Sequence, residues 1–496
     1  MRSSAFHLSI AFLCLSCATE AGAAEPVPPT IQQQLDALAR ENAELRRTVE
    51  TLADEVRAAR DEARAAGAQA PAGAAPIAGA PPDGALLSLG GGRLQLLDLS
   101  LDVLAAAGWS DATNDQLGLL EGGGHDPRRR GFTLQQAELS MAGAVDPYFT
   151  GEAHLVYFID PEGESRFELE EAFVTTTSLP FGLHERGAQL EMGHFFTEFG
   201  RINPQHPHQW DWMDQPVVST RFFGEDGLRA PGVRLGWLLP VPWFSEVHLG
   251  AQNANGETML SFLASDEAFE ERPIGGRPFA DVDVRSPKDL LYLARWVNGV
   301  DLSDTTSAQL GVSYVTGPNA TGPDGRTHIV GGDVVVKWRP LSAEHGWPFV
   351  TFQAELMGRR YEADGFDLCL DEDCQDLVGV GSDDLEDWGF YAQLLYGFRR
   401  NWAAGFRVEH AGGSGHDFDQ DSSLDDGAPV FASREDDPFR SDRTRIAPLL
   451  VFHPSEFSRL RLQANYDWTE GPELDDALSV WAGIEFLFGA HAAHAY

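Results

Sequence analysis

From residue 93 to the C-terminus the chain consists of short segments in which apolar and polar residues alternate, and their connections go short, long, short, long. Period-two alternation puts successive side chains on opposite faces of a strand. Clipped turns at one end and long loops at the other are the rhythm of an antiparallel barrel that crosses a membrane. The segments lie near 97–109, 130–144, 148–159, 167–178, 187–195, 232–238, 244–252, 290–297, 307–315, 328–338, 348–357, 388–398, 402–410, 444–452, 458–467 and 477–490. Asp146-Pro147, the Pro240-to-Pro242 turn, Arg399-Arg400-Asn401 and His453-Pro454-Ser455 fall on one side. The stretches 110–129, 196–231, 253–289, 358–387 and 411–443 fall on the other. The expected fold class is therefore all-β: a transmembrane antiparallel β-barrel of about 16 strands, within a range of roughly 14–18, preceded by a short α-helical coiled coil.

Composition narrows the alternatives. A formal net charge of −40 over 496 residues excludes a nucleic-acid binder, which needs clustered Lys and Arg on one face. No run of 18 apolar residues follows the leader, so membrane-crossing helices are excluded. A mean hydropathy of −0.24 is compatible with a barrel, whose strands alternate lipid-facing and lumen-facing residues. Residues 1–24 read as a secretory signal peptide: Arg2 supplies the charge, Phe6 to Cys17 the apolar core, and Ala21-Gly22-Ala23-Ala24 the small-residue cleavage site. Lipid attachment at Cys17 is the alternative. In an exported chain the remaining cysteines, Cys369 and Cys374, are expected to form a loop-stapling disulfide.

Residues 25–64 are expected to form a periplasmic helix. The seam Ile31, Leu35, Leu38, Asn42, Leu45, Val49, Leu52, Val56, Ala59, Ala63 alternates three and four, the spacing of a coiled coil. Such a seam needs a partner, and the same helix of a sister subunit is the natural one. Residues 65–92, rich in Ala, Gly and Pro, form a linker to the barrel domain 93–496. In the first strand Leu97, Leu99, Leu101 and Val103 alternate with Asp98, Ser100 and Asp102, giving one apolar and one polar face. In the last, Ile484, Phe486 and Phe488 continue by the same parity to Tyr496.

The stretches LQQAELSMAGAVDPYFTGEAHLVYF, FELEEAFVTTTSLPFGL and LEMGHFFTEFGRINPQHPHQWDWMDQP occur in that order between Phe132 and Pro216. This order, a strand ending in Val145-Asp-Pro-Tyr148, a Glu-rich strand, then Gly193-x-Phe and Phe199-Gly-x-x-Asn203 before a long loop, resembles porins of the phosphate-selective type and their relatives. The resemblance covers 132–240 best. It implies a trimeric barrel with a loop folded into the pore. It does not carry phosphate specificity, which rests on a ladder of Arg and Lys; this chain has 36 basic against 76 acidic residues. His206-Pro207-His208, Asp211 to Asp214 and the terminal Gly-Ala-His…Ala-His pattern also resemble barrels labelled zinc-regulated outer-membrane receptors.

The loop 196–231, the third connection on the long-loop side, is the preferred functional region. Glu198, Arg201, His206, His208, Asp211, Asp214, Arg221 and Arg229 would face one another across a constriction and select by size and charge. The alternative is a loop packed by its own aromatics, Trp210, Trp212, Phe222 and Phe223, over the barrel mouth. His194, His206, His208, Asp211 and Asp214 form the richest His/Asp cluster. It reads first as histidines bonded to the loop backbone, and second as a zinc site of His206, His208, Asp211 and Asp214. Asp417, Asp419 and Asp421 occupy positions one, three and five of a calcium-loop pattern that lacks its Gly and Glu. A solvated acidic loop is the first reading there. No nucleophile elbow, P-loop or zincin spacing occurs, and nothing in their spacing joins Ser140 and His154 to an acid.

The expectation is a homo-oligomeric, trimeric porin in the outer membrane of a Gram-negative-type bacterium, not an enzyme, with no required cofactor. It would pass small hydrophilic solutes with a preference for cations. Outer-membrane lipid, lipopolysaccharide and the barrel-assembly machinery are its expected partners, with no nucleic acid. A zinc-uptake channel and an envelope tether are the alternatives.

Overall fold

The computed structural model describes residues 98–369, 377–414, 439–470 and 475–489, with short strand pieces at 86–89, 92–95, 417–418, 424–425, 428–429 and 431–432. The strands of one sheet close on themselves in strict antiparallel order. In chain order they are β1 (Asp98–Ser110), β2 (Gly131–Ala144), β3 (Phe149–Ile159), β4 (Ser165–Thr176), β5 (Ala188–Phe196) and β6 (Arg229–Leu238). Next come β7 (Phe244–Asn253), β8 (Leu290–Ser303), β9 (Thr306–Pro318), β10 (Arg326–Trp338) and β11 (Phe349–Ala363). The last are β12 (Asp383–Arg399), β13 (Trp402–Ser414), β14 (Arg443–Ser455), β15 (Ser458–Thr469) and β16 (Ala477–Gly489). β16 pairs with β1, Ile484 opposite Ala105, so no barrel edge is left open. Each of the sixteen matches one segment expected from the alternation. Strand β11 and strand β12 run several residues past the expected ends. Beyond the apolar band their ladder continues through polar pairs such as Arg360–Glu386 and Glu362–Asp384, where apolar alternation gives no signal.

The apolar surface faces outward. Along β9, Leu310, Val312 and Tyr314 are exposed while the alternate residues Gly311, Ser313 and Val315 are buried. Exposed aromatics ring both ends: Trp237, Trp243, Trp338 and Phe488 at the short-turn end, Trp109, Trp388 and Trp468 at the long-loop end. An apolar belt between aromatic girdles is the surface a bilayer requires. The shortest strand, β5, has 9 residues, which suffices for a tilted strand needing about 9–11 to cross. Among the described residues no helix is long and apolar enough to cross a membrane.

The buried core lies inside the barrel, where, among the described residues, three loops from the long-loop end fold in. The first, 111–130, carries helix α1 (Asn114–Leu120), which packs Leu117 and Leu120 with Met213 and Trp481. The second is 197–228, with helix α2 (Val217–Phe223). The third, 254–289, contributes Met259, Phe262 and Leu263 to a cluster with Phe199, Phe222 and Phe223.

The signal peptide 1–24, the helix 25–64, most of the linker 65–92, Cys374, Asp419, Asp421, His491, His494 and Tyr496 lie outside the described residues. So do the side chains of Cys369 and Asp417.

Candidate pore constriction

The loop 197–228 crosses the lumen and is tied to three walls. At its start the Gly200 amide donates to Ser313 Oγ on β9 at 3.1 Å, and the Arg201 and Ile202 amides donate to Glu355 on β11. It next passes β2 and β4, where His206 Nδ1 lies 2.8 Å from Glu170, His206 Nε2 2.9 Å from Glu171, and His208 Nδ1 3.0 Å from Glu138. It then meets β13 to β15. There Asp214 accepts from Arg407 at 2.5 Å and Gln463 at 2.7 Å on one oxygen, and from Arg445 at 2.7 Å and Asn465 at 2.8 Å on the other. Arg461 and Arg459 donate to the Trp212 and Trp210 carbonyls, each at 2.9 Å. The Val217 amide donates to Glu409 at 2.7 Å.

Lumen-facing glycines make room for this loop. A Cβ on Gly331, Gly389, Gly405 or Gly483 would stand within 3 Å of Phe199, Val218, Trp212 or Met213 respectively. Backbone this bare lets a large side chain lie flat on the wall.

The loop separates two vestibules. The one at the long-loop end has a volume of about 680 Å³, lined by Arg128, Arg129, Arg130, Glu162, Glu225 and Arg272 among others. The one at the short-turn end has about 550 Å³, lined by Asp102, Lys337, Arg459 and Glu485 as well as loop residues. Between them lies a gap of about 10 Å³ bounded by His125, Glu170, Gln205, Trp210, Gln215 and Asp226, about the space of one water. No lysine or arginine is among the described residues lining that gap.

The residues expected at the constriction divide into two groups. Glu198, Arg201, His208 and Asp211 line the short-turn vestibule. The Glu198 carboxylate pairs there with Arg234 at 2.7 Å. Asp214, Arg221 and Arg229 do not face the passage, which corrects that part of the expectation. The Asp214 carboxylate is consumed by wall cations, which hold it down to about 2: burial opposes its charge, but Arg407 and Arg445 outweigh burial. The Arg221 guanidinium donates to the Arg440 and Ser441 carbonyls. Arg229 is buried against Glu168.

The expected zinc set is corrected in the same way. The structure brings His206 and His208 together, their rings stacked at 5.7 Å, but on Glu138, Glu170 and Glu171 rather than on Asp211 and Asp214. Burial disfavours the His206 charge, yet Glu138 and Glu170 overcome it and hold this imidazole well above its usual value. These histidines bond to side-chain carboxylates instead of the loop backbone. His194 lies on β5, opposite Pro231 of β6 and Ala172 of β4. His154 and Ser140 do meet Glu138: His154 Nδ1 is 3.0 Å from Ser140 Oγ and 2.9 Å from Glu138. Glu138, His154 and His206 offer ligand atoms within 4.8 Å of one another.

Residues that sequence reasoning missed hold the loop in place. Arg407, Arg443, Arg445, Arg459 and Arg461 stack inward on three adjacent strands, each against a carboxylate. Their signal was present as period-two spacing, Arg459-Leu-Arg461 inside the expected strand 458–467 and Arg443-Thr-Arg445 across the start of the expected strand 444–452. The chain-wide acidic excess hid this local ladder.

No family model matches the chain. An uncharacterized protein of Aquifex aeolicus (strain VF5) is 30% identical over 398 residues, which cover 75% of this chain and 73% of that protein. Among solved structures, the chain is similar to the anion-selective porin from Comamonas acidovorans, with a TM-score of 0.45 and 9% identity over 79% of this chain and 99% of that one. It is similar to the outer membrane channel DcaP of Acinetobacter baumannii, with a TM-score of 0.44 and 12% identity over 79% and 97%. Pseudomonas putida OprB gives 0.44 and 12% over 79% and 94%.

Proposed function

This chain belongs to the same protein family as the uncharacterized Aquifex aeolicus protein, and we propose that it is an outer-membrane porin, a passive channel for small hydrophilic solutes. The observation that carries this reading is the pair of vestibules inside a closed 16-stranded barrel, separated by one inserted loop. The short-turn end would face the periplasm and the long loops the exterior.

Solutes entering either vestibule meet a lumen of paired charges. Such a lining replaces hydration without trapping a single ion. The vestibule walls mix acids and bases: Arg128 to Arg130 and Arg272 against Asp115, Glu162 and Glu225 at one end. At the gap the balance changes. Glu170 and Asp226 face it without a lysine or arginine among the described lining residues, which supports a preference for cations. At about 10 Å³ the gap holds about one water, and larger solutes need the Gln205 or Trp210 side chain to give way.

In this reading the chain acts as a homo-oligomer, a trimer held by barrel contacts and the helix 25–64, in contact with outer-membrane lipid and lipopolysaccharide after insertion by the barrel-assembly machinery. No catalytic step is assigned. Single-channel recording of the refolded chain in a planar bilayer tests the proposal. Discrete conductance steps with a reversal potential favouring potassium are expected. A silent bilayer contradicts the channel, and a reversal potential favouring chloride contradicts the cation preference.

A further inference from the structure

We propose that the pocket formed by His125, Glu168 and Asp226, which adjoins the gap between the vestibules, is a binding site for a divalent transition-metal cation of the zinc type. The inference builds on the channel reading, because His125 and Asp226 also line the gap, but its test is separate.

Three observations point to the same spot. One ligand atom from each of His125, Glu168 and Asp226 lies within 4.8 Å of the other two, the spread of donors around one ion. His125 is 2% exposed, and its two ring nitrogens differ. Nδ1 lies 3.3 Å from the Gln135 carbonyl oxygen, which can only accept, so Nδ1 carries the hydrogen. Nε2 is then a bare lone pair, buried and with no hydrogen-bond partner among the described residues. Metal-bound histidines have this arrangement: the far nitrogen donates to a carbonyl, which fixes the tautomer and aims the near one. Finally, Nε2 stands 4.0 Å from Glu170 Oε1, too far for a hydrogen bond. Tetrahedral ligands roughly 2.0–2.2 Å from zinc stand about 3.3–3.6 Å apart, so Glu170 joins the set after a shift of about half an ångström.

The local charge also favours an ion. Glu168, Glu170 and Asp226 surround a single guanidinium, Arg229, which pairs with Glu168 and lies 3.8 Å from Glu170. With the His206 imidazolium on Glu170, two cations among three carboxylates leave the pocket one negative charge in excess. An imidazole donor selects zinc-like metals over calcium, which takes six to eight oxygens. The neighbouring group of Glu138, His154 and His206 is the weaker candidate, because both His206 nitrogens and the facing His154 Nδ1 are already bonded to carboxylates or hydroxyl. Glu170 joins the two groups, one oxygen toward His125 and the other on His206.

The test uses the folded full-length chain in detergent, titrated with Co²⁺ and followed by visible absorption, with barrel folding checked by heat-modifiable gel migration. One Co²⁺ per chain is expected. Affinity should fall about tenfold or more in His125→Gln and in Asp226→Asn, and stay unchanged in His328→Ala. If one of the first two variants does not fold, the other decides. Absence of saturable Co²⁺ binding overturns the site, as does binding that survives His125→Gln but is lost in His206→Ala. Potassium conductance in EDTA is recorded on the same preparation. Full conductance without Co²⁺ binding overturns the site and leaves the channel standing. Saturable binding to a silent barrel supports the site and contradicts the channel.

Discussion

The Trp212 indole of the inserted loop lies flat on Gly405 of β13, so that a Cβ at that glycine would stand 2.8 Å from Trp212 Cη2. The same indole donates from Nε1 to the Ala447 carbonyl of β14 at 2.9 Å, and Arg407 sits over its ring at 5.5 Å. The loop is therefore docked on the wall by shape as well as by charge. Gly405→Val should displace Trp212 at an overpacking cost of about 1–3 kcal/mol. A lower midpoint in denaturant together with larger, noisier conductance steps would show it. A larger step with an unchanged midpoint would locate the effect elsewhere.

Asp214 anchors the far half of the loop. Removing its carboxylate takes one partner each from Arg407 and Arg445, although Arg407 keeps Glu409 and Arg445 keeps Glu121 and Asp467. Breaking a buried pair costs about 3–5 kcal/mol, and the remaining partners put Asp214→Ala near the lower figure. Its single-channel conductance should exceed that of the parent chain.

The same residue sets an acid limit. The folded Asp214 is held at about 2, against roughly 3.9 for a free aspartate. A depressed carboxylate contributes stability that is fully present above the unfolded value and is lost as pH falls through the folded one. Conductance should be flat with respect to this group from pH 7 to about 4 and rise below about 3. Asp214→Asn should remove that acid step; an unchanged step would mean another group opens the loop.

In the proposed channel the gap sets the selectivity. Glu170→Gln removes one of the two carboxylates facing it and should move the reversal potential toward zero. The change should be larger in dilute salt than at 1 M, where the screening length is about 3 Å. An unaltered potential would place the selectivity filter in a vestibule.

Much of this architecture was readable before the structure. Strand identity is local: alternation such as Leu99, Leu101, Val103 against Ser100 and Asp102 needs no knowledge of the rest of the chain. The site is not local. Asp214 meets Arg445 across 231 positions and His208 meets Glu138 across 70, contacts set by barrel closure and strand register. Reading the loop by itself grouped Asp211 and Asp214 with His206 and His208, because proximity along the chain was the only proximity visible. His125 follows Gly122-Gly123-Gly124 with no ligand at a telling spacing, and its partners Glu168 and Asp226 come from a strand and another loop.

The most direct measurement is single-channel conductance of the refolded chain beside Asp214→Ala in the same bilayer. The account predicts small discrete steps for the parent and distinctly larger ones for the variant, because the loop that divides the two vestibules has lost its anchor. Silence from both proteins, or identical steps, would contradict it.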